Sequence, residues 1–214
     1  TVDNMTFEVQ RMSYSGLPGF ELHIPAEHVQ TIYKRIMDDP FSREAGLKPH
    51  GACAVQGLRT EMWYRGSADV KNIGHYSEVM IDKFIYKKKS FHGMDPDYKP
   101  KKQVVMLDVD TGKGWEWAMH LGKYKVFKNG AEVGTTLSSA YGARSRRVHA
   151  FAFLDAPSVG DGEKFTVHCH GQEFPAMQLA EPHVPFTGKD EFPFTGEPHV
   201  PFTGESQARV AAHA

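Results

Sequence analysis

At 214 residues the chain is long enough to bury a core, and 40% hydrophobic with 24% charged residues argues against wholesale disorder. Its 25 basic and 26 acidic residues leave a formal net charge of -1, so no global field draws it to nucleic acid, and no apolar run is long enough for a transmembrane helix. Two cysteines, Cys53 and Cys169, exclude a disulfide-dense scaffold and form no CxxC pair for redox or zinc chemistry.

The opening TVDNMTFEVQ shows no signal peptide, and the chain is expected to be soluble. Met5, Phe7 and Val9 alternate with Thr6 and Glu8, which predicts an opening strand. After Pro25, Val29, Ile32, Tyr33, Ile36 and Met37 recur at helical spacing. Glu27 near the amino end and Lys34 and Arg35 further on suit the helix dipole, and Pro40 stops the element. The spacing predicts a helix over 26–38. The run GLRTEMWYRG reads as a brief strand, because Met62 and Tyr64 alternate with Trp63. From Ser67 to Lys89 two periods compete. The density of Lys, Glu and Met tips the reading to helix, with Ile73, Ser77, Met80, Ile81 and Phe84 on one face.

From Gln103 the period becomes two. Val105, Leu107 and Val109 share a face, then Trp115, Trp117 and Met119, then Tyr124 and Val126. Asn129-Gly130 between alternating segments predicts a type I′ hairpin turn, since both residues accept positive φ. RVHAFAFL at 147–154 and EKFTVHCH at 163–170 supply two more strands. Strands that follow one another without intervening helices pair antiparallel. The expected fold is mainly β with a minor α component: an antiparallel β-sandwich or barrel with an extended C-terminal arm. The expected divisions are 1–100, mixed α/β; 101–178, antiparallel β; and 179–214, the arm.

The arm carries an eight-residue repeat, EPHVPFTG at 181–188 and 197–204 with KDEFPFTG between them. Its prolines exclude a helical repeat. Phe186, Phe194 and Phe202 are spaced to fill separate pockets, and His183 and His199 occupy equivalent positions. This pattern predicts a structural or assembly protein without a cofactor, a homo-oligomer whose arm docks in grooves of neighbouring subunits.

A second reading starts from the histidines, twelve in all. On a strand, His168 and His170 share one face at a spacing of about 6.5–7 Å, close enough to hold one metal. Glu173 follows a turn, and His149 is a candidate third ligand. This predicts a small metalloprotein, a redox enzyme or oxygenase holding one Cu, Fe, Mn or Zn ion. The order Gly162, five residues, His168-Cys169-His170 and then Glu173 resembles the first metal motif of the cupin family, over about twelve residues and with a shorter gap to Glu173. That resemblance implies a double-stranded β-helix barrel with a divalent metal. The Trp115/Trp117/Met119 stripe motivates a third reading, a carbohydrate- or peptide-binding module. Arg144, Arg146 and Arg147 offer three guanidinium groups to an anion or to a partner's carboxylates. No GxSxG, P-loop, GxGxxG or HExxH motif is present, so no catalytic residue is assigned.

Overall fold

The computed structural model describes residues 4–71, 73–79, 90–95, 97–112 and 122–182. Of the helix expected over 67–89, residues 72 and 80–89 lie outside the described residues. The rest forms a short helix at Ser67–Val70 and a 3₁₀ turn at Tyr76–Glu78, so the single helix is corrected there. The Trp115/Trp117/Met119 stripe and the arm residues His183, Phe186, Phe194, His199 and Phe202 also lie outside the described residues. The chain divides into two compact units, one reaching Val55 and the other running from Gln56 to Pro185.

In the first unit, β1 (Glu8–Gln10) pairs antiparallel with β2 (Glu21–His23). Helix α1 covers Ala26–Asp38, the range that the apolar spacing predicts. Of its stripe only Ile32 is buried, while Val29, Tyr33 and Ile36 remain exposed. Pro40 ends α1 and also opens α2 (Pro40–Glu44), where its missing N–H costs nothing; the Asp39 carboxylate caps the new helix by accepting from Ser42 N at 2.9 Å. Helix α3 covers Ala52–Glu61, so the strand read into GLRTEMWYRG is corrected. Met62 and Tyr64 alternate only by coincidence. The preceding ACAVQGLRTE has good helix formers, and the helix ends in a turn where Trp63 takes a φ of 55°.

The second unit begins with the carboxyl-terminal half of α3, continues through α4 (Ser67–Val70) and a 3₁₀ turn at Tyr76–Glu78, and then forms a barrel. The barrel strands are β3 (Lys102–Val109), β4 (Lys125–Lys128), β5 (Ala131–Gly142), β6 (Arg147–Asp155), β7 (Lys164–Cys169) and β8 (Gln172–Gln178). All neighbouring pairs are antiparallel, and the order β3-β6-β5-β4-β7-β8 closes on itself through Leu107↔Gln178, Asp108↔Met177 and Val109↔Ala176. Closure leaves no open edge, which decides between the expected sandwich and barrel. The molecule is a mixed α/β fold with a closed six-stranded antiparallel barrel.

One apolar set fills the barrel, including Val105, Leu107, Val126, Ala150, Leu154, Val167 and Cys169. A second, with Val79, Val104, Met106 and Phe151, covers the outer face of β3 and β6 and gathers Trp63, Val70 and Ile73 around it. These two strands are therefore buried on both sides, which is why VVML in β3 runs apolar without a break. The Asn129-Gly130 turn has φ values of 52° and 81°, the predicted left-handed pair. A second turn of the same kind falls at His170-Gly171, with φ values of 48° and 74°, and joins β7 to β8. Strand β8 itself is masked in the sequence by Pro175 and by flanking Gln and Glu, although Phe174 and Ala176 keep the inward alternation.

Neither cysteine forms a disulfide: Cys53 is exposed and Cys169 lies in the barrel core. Burial pushes the Cys169 thiol above its ordinary pKa, and a hydrogen bond with Tyr124 pulls the other way. A thiol reagent at neutral pH is expected to modify one cysteine quickly in the native protein and two after unfolding. The raised thiol also has a pH consequence. The folded state keeps its proton where the unfolded thiol, at about 8.5, has lost it, so stability is whole below that value and drains away as pH rises through the folded one. Denaturation midpoints between pH 7 and 10 should fall, and Cys169→Ala should flatten part of that fall.

Candidate functional site

Among the described residues, the densest group of buried charge lies where α3 and α4 meet the outside of β5. Gly57 makes the approach possible: a Cβ there would sit 2.6 Å from the Tyr141 carbonyl oxygen. Two residues later, Arg59 enters the seam with 1% of its surface exposed, opposite an Asp69 at 0%. The guanidinium donates to the Gln56 Oε1 from Nε (2.9 Å) and Nη2 (2.6 Å), to the Tyr64 carbonyl from Nη1 (3.0 Å), to Ser138 Oγ from Nη2 (3.0 Å), and to Asp69 Oδ2 from Nη1. All five N–H groups are thereby used. Asp69 is equally occupied, since Oδ2 also accepts from Gly66 N at 2.8 Å and Oδ1 from the Ser138 hydroxyl. A register shift in β5 between Thr136 and Ser138 re-aims the strand there, and the Ser138 hydroxyl meets both charges.

The last turn of α3 makes a second attachment. Glu61, 2% exposed, accepts from the backbone N–H of Arg144 (2.9 Å) and Ser145 (2.7 Å) in the turn between β5 and β6. Here too a glycine makes room, because a Cβ on Gly142 would come within 2.5 Å of the Glu61 side chain. Ser145 Oγ in turn lies 2.8 Å from His149 Nε2. A buried ion pair whose every donor is engaged holds elements in place; it has nothing left for a ligand.

A third group surrounds the 3₁₀ turn. His75 caps it by accepting from Ser77 N at 3.3 Å, stacks on Tyr98 with ring centroids 3.8 Å apart, and Tyr98 donates to Glu78 at 2.8 Å. That hydrogen bond, then burial and the carboxylate's charge, raise the Tyr98 pKa. Further along β3, Asp108 accepts from Arg147 Nε at 2.9 Å and Nη2 at 2.8 Å. The hydrogen bonds to Asp108 come first, and then the Asp108 charge, among the influences that raise the Arg147 pKa.

Of the four residues expected to hold a metal, only His168 and Glu173 are brought together. His168 stacks on Phe127 at 4.0 Å and lies 3.3 Å from Glu173, its partner across β7 and β8. His170 is not a strand residue at all: its positive φ places it in the turn, with Nε2 2.8 Å from the Tyr124 hydroxyl. His149 is buried on β6, which is separated from β7 by two strands in either direction round the barrel. Among the described residues, no group of three or more His, Cys, Asp or Glu is placed to hold a metal ion. Of the three arginines, Arg144 engages the seam through its backbone, Arg147 pairs with Asp108, and Arg146 stands in the turn at a φ of 55°. Sequence reasoning missed Arg59, Glu61, Asp69 and Ser138. The available signal was helical, since Arg59 and Glu61 sit in the last turn of a helix that was read as a strand.

Residues 1–89 match the model of the GCVT N-terminal domain, and residues 102–184 match that of the glycine cleavage T-protein C-terminal barrel domain. Two successive segments of the chain are thus similar to the two domains of the glycine cleavage T-protein. It is 28% identical to the mitochondrial dimethylglycine dehydrogenase of Mus musculus over 182 residues, covering 81% of this chain and 20% of that protein. It is 25% identical to an aminomethyltransferase of Desulforamulus reducens over 188 residues, covering 81% of this chain and 48% of that protein. The crystal structure of the glycine cleavage system aminomethyltransferase T from Bartonella henselae superposes with a TM-score of 0.67 at 18% identity, covering 82% of this chain and 49% of the other. The chain thus spans about a fifth of the dehydrogenase and about half of the aminomethyltransferases. These likenesses overturn the expectation of a structural or assembly protein, and with it the metalloprotein, cupin-like and carbohydrate- or peptide-binding readings. The barrel closes through six antiparallel strands of T-protein type, with the histidines dispersed over its wall.

Two substitutions test the seam. Gly57→Ala should cost about 1–3 kcal/mol, because backbone faces the added methyl and cannot yield, whereas Gly74→Ala, with open space around it, should cost under about 1 kcal/mol. Asp69→Ala leaves the Arg59 guanidinium buried without its carboxylate and should cost about 3–5 kcal/mol. Urea denaturation of the three variants measures both.

Proposed function

We propose that this chain belongs to an enzyme that transfers a carbon bonded to an amine nitrogen, in the manner of an aminomethyltransferase. The observation that carries the reading is the order of the two T-protein matches, N-terminal domain and then barrel, along 1–89 and 102–184. A fold by itself assigns no chemistry. Support for the chemistry comes from the names of the relatives: aminomethyltransferases and dimethylglycine dehydrogenases share a substrate carbon attached to nitrogen, and both align with more than three quarters of this chain. The dehydrogenase matches over only a fifth of its length, so what the two groups of relatives share is better described as handling the amine than as oxidising it.

On this reading the chain's own residues supply architecture first. The Arg59–Asp69–Ser138 clamp and the Glu61 attachment fix the β5–β6 end of the barrel. Fixed groups cost no reorganisation when a substrate binds. Expression of the chain in a bacterium whose own aminomethyltransferase has been deleted tests the proposal. Cells given ¹⁵N-glycine should release ¹⁵N-ammonia above the empty-vector level. Release that matches the empty vector would contradict it.

A further inference from the structure

At the end of the β3–β6 ladder a cavity of about 170 Å³ is lined by Val109, Asp110, Thr111, Gly112, Arg146, Arg147 and Val148. Register places it there: Val109 pairs with Val148, so Asp110 follows the last rung of β3 where Arg147 opens β6. The walls are pinned. Asp110 N donates to the Pro175 carbonyl at 2.8 Å, Asp110 Oδ1 accepts from Gly112 N at 3.2 Å, and Arg146 N donates to the Gly142 carbonyl at 2.8 Å.

The charges in this cavity differ from those in the seam: among the described residues, Arg146 and Asp110 close no ion pair. Both side chains are exposed. Asp108 is buried, and it accepts from Arg147 Nε and Nη2. Beside the buried Asp108 carboxylate, the lining offers the guanidinium groups of Arg146 and Arg147 and the carboxylate of Asp110. A simple anion would meet Asp110, and a simple cation would meet two arginines. A small molecule bearing both charges complements this mixed lining. The volume suits one, since it equals the liquid share of about five or six waters.

We propose that this cavity binds a small zwitterionic amino acid, its carboxylate on Arg146 and Arg147 and its ammonium on Asp110. The proposal rests on the transfer reading only for which amino acid fills the site; the charge pattern stands without it. Calorimetric titration of the full chain with glycine and N,N-dimethylglycine, and with acetate and methylammonium as single-charge probes, tests it. A zwitterion should bind saturably and at least tenfold more tightly than either single-charge probe. Asp110→Asn should weaken the zwitterion at least tenfold while leaving acetate no weaker, and Arg146→Gln should weaken zwitterion and acetate alike. Both side chains are exposed and outside the seam, so unchanged denaturation midpoints are expected for these variants. Acetate binding as tightly as glycine, or no saturable binding of either amino acid, overturns the proposal. Amino-acid binding here without ¹⁵N release in cells leaves this proposal standing and removes the transfer reading; release without binding at this cavity does the reverse.

Discussion

At Gly57 the α3 backbone lies so close to β5 that a single added carbon would stand 2.6 Å from the Tyr141 carbonyl oxygen. That approach sets the reach of everything on the same helix. Arg59 can touch Ser138, and Glu61 can touch the Arg144 and Ser145 amides, only because the helix axis is this near to the strand. Once there, a guanidinium and two carboxylates lie out of water, and each must be satisfied where it stands. The structure answers with a network in which one strand hydroxyl, Ser138, serves both members of the ion pair. Close backbone approach and complete hydrogen bonding therefore depend on each other.

The same distinction between used and unused hydrogen-bonding capacity separates scaffold from site. Arg59 has no donor to spare and is a fastening. Arg146, a few residues from the Glu61 attachment, keeps its guanidinium outside any ion pair among the described residues. The β5–β6 turn joins the two, for it is held from one side by Glu61 and lends Arg146 and Arg147 to the cavity on the other. A side chain on a turn fastened in this way is presented at little entropic cost, which is how a rigid barrel puts a loop to use.

Much of the fold was legible in the sequence, because it rests on local patterns. Helix α1 follows from apolar spacing between Pro25 and Pro40, and the β4–β5 hairpin from Asn129-Gly130. Strand β8 was hidden by Pro175, and α3 by a chance alternation at its end. The candidate site was hardly legible at all. Arg59 and Asp69 are ten residues apart and Ser138 is 69 residues beyond Asp69, so only the folded chain reveals that they share one buried point. The histidine pair failed for a more particular reason: the pattern of two assumes a strand, and at His170 the backbone has already entered a turn that sends its ring to Tyr124. Arg146 and Arg147 were singled out as charge, but what makes them a candidate site is Asp110 beside them, which the antiparallel register supplies.

The Gln56–Glu61 part of α3, α4 and the β5–β6 end of the barrel open as one unit, fastened through the Arg59–Asp69–Ser138 clamp. Native-state hydrogen exchange at the Arg144 and Ser145 amides measures this directly, because both donate to Glu61 and neither touches Asp69. In the wild type they should exchange as slowly as the amides of the last turn of α3. In Asp69→Asn the two sets should accelerate together. Arg144 and Ser145 amides that keep their wild-type rates while the helix amides speed up would contradict the account.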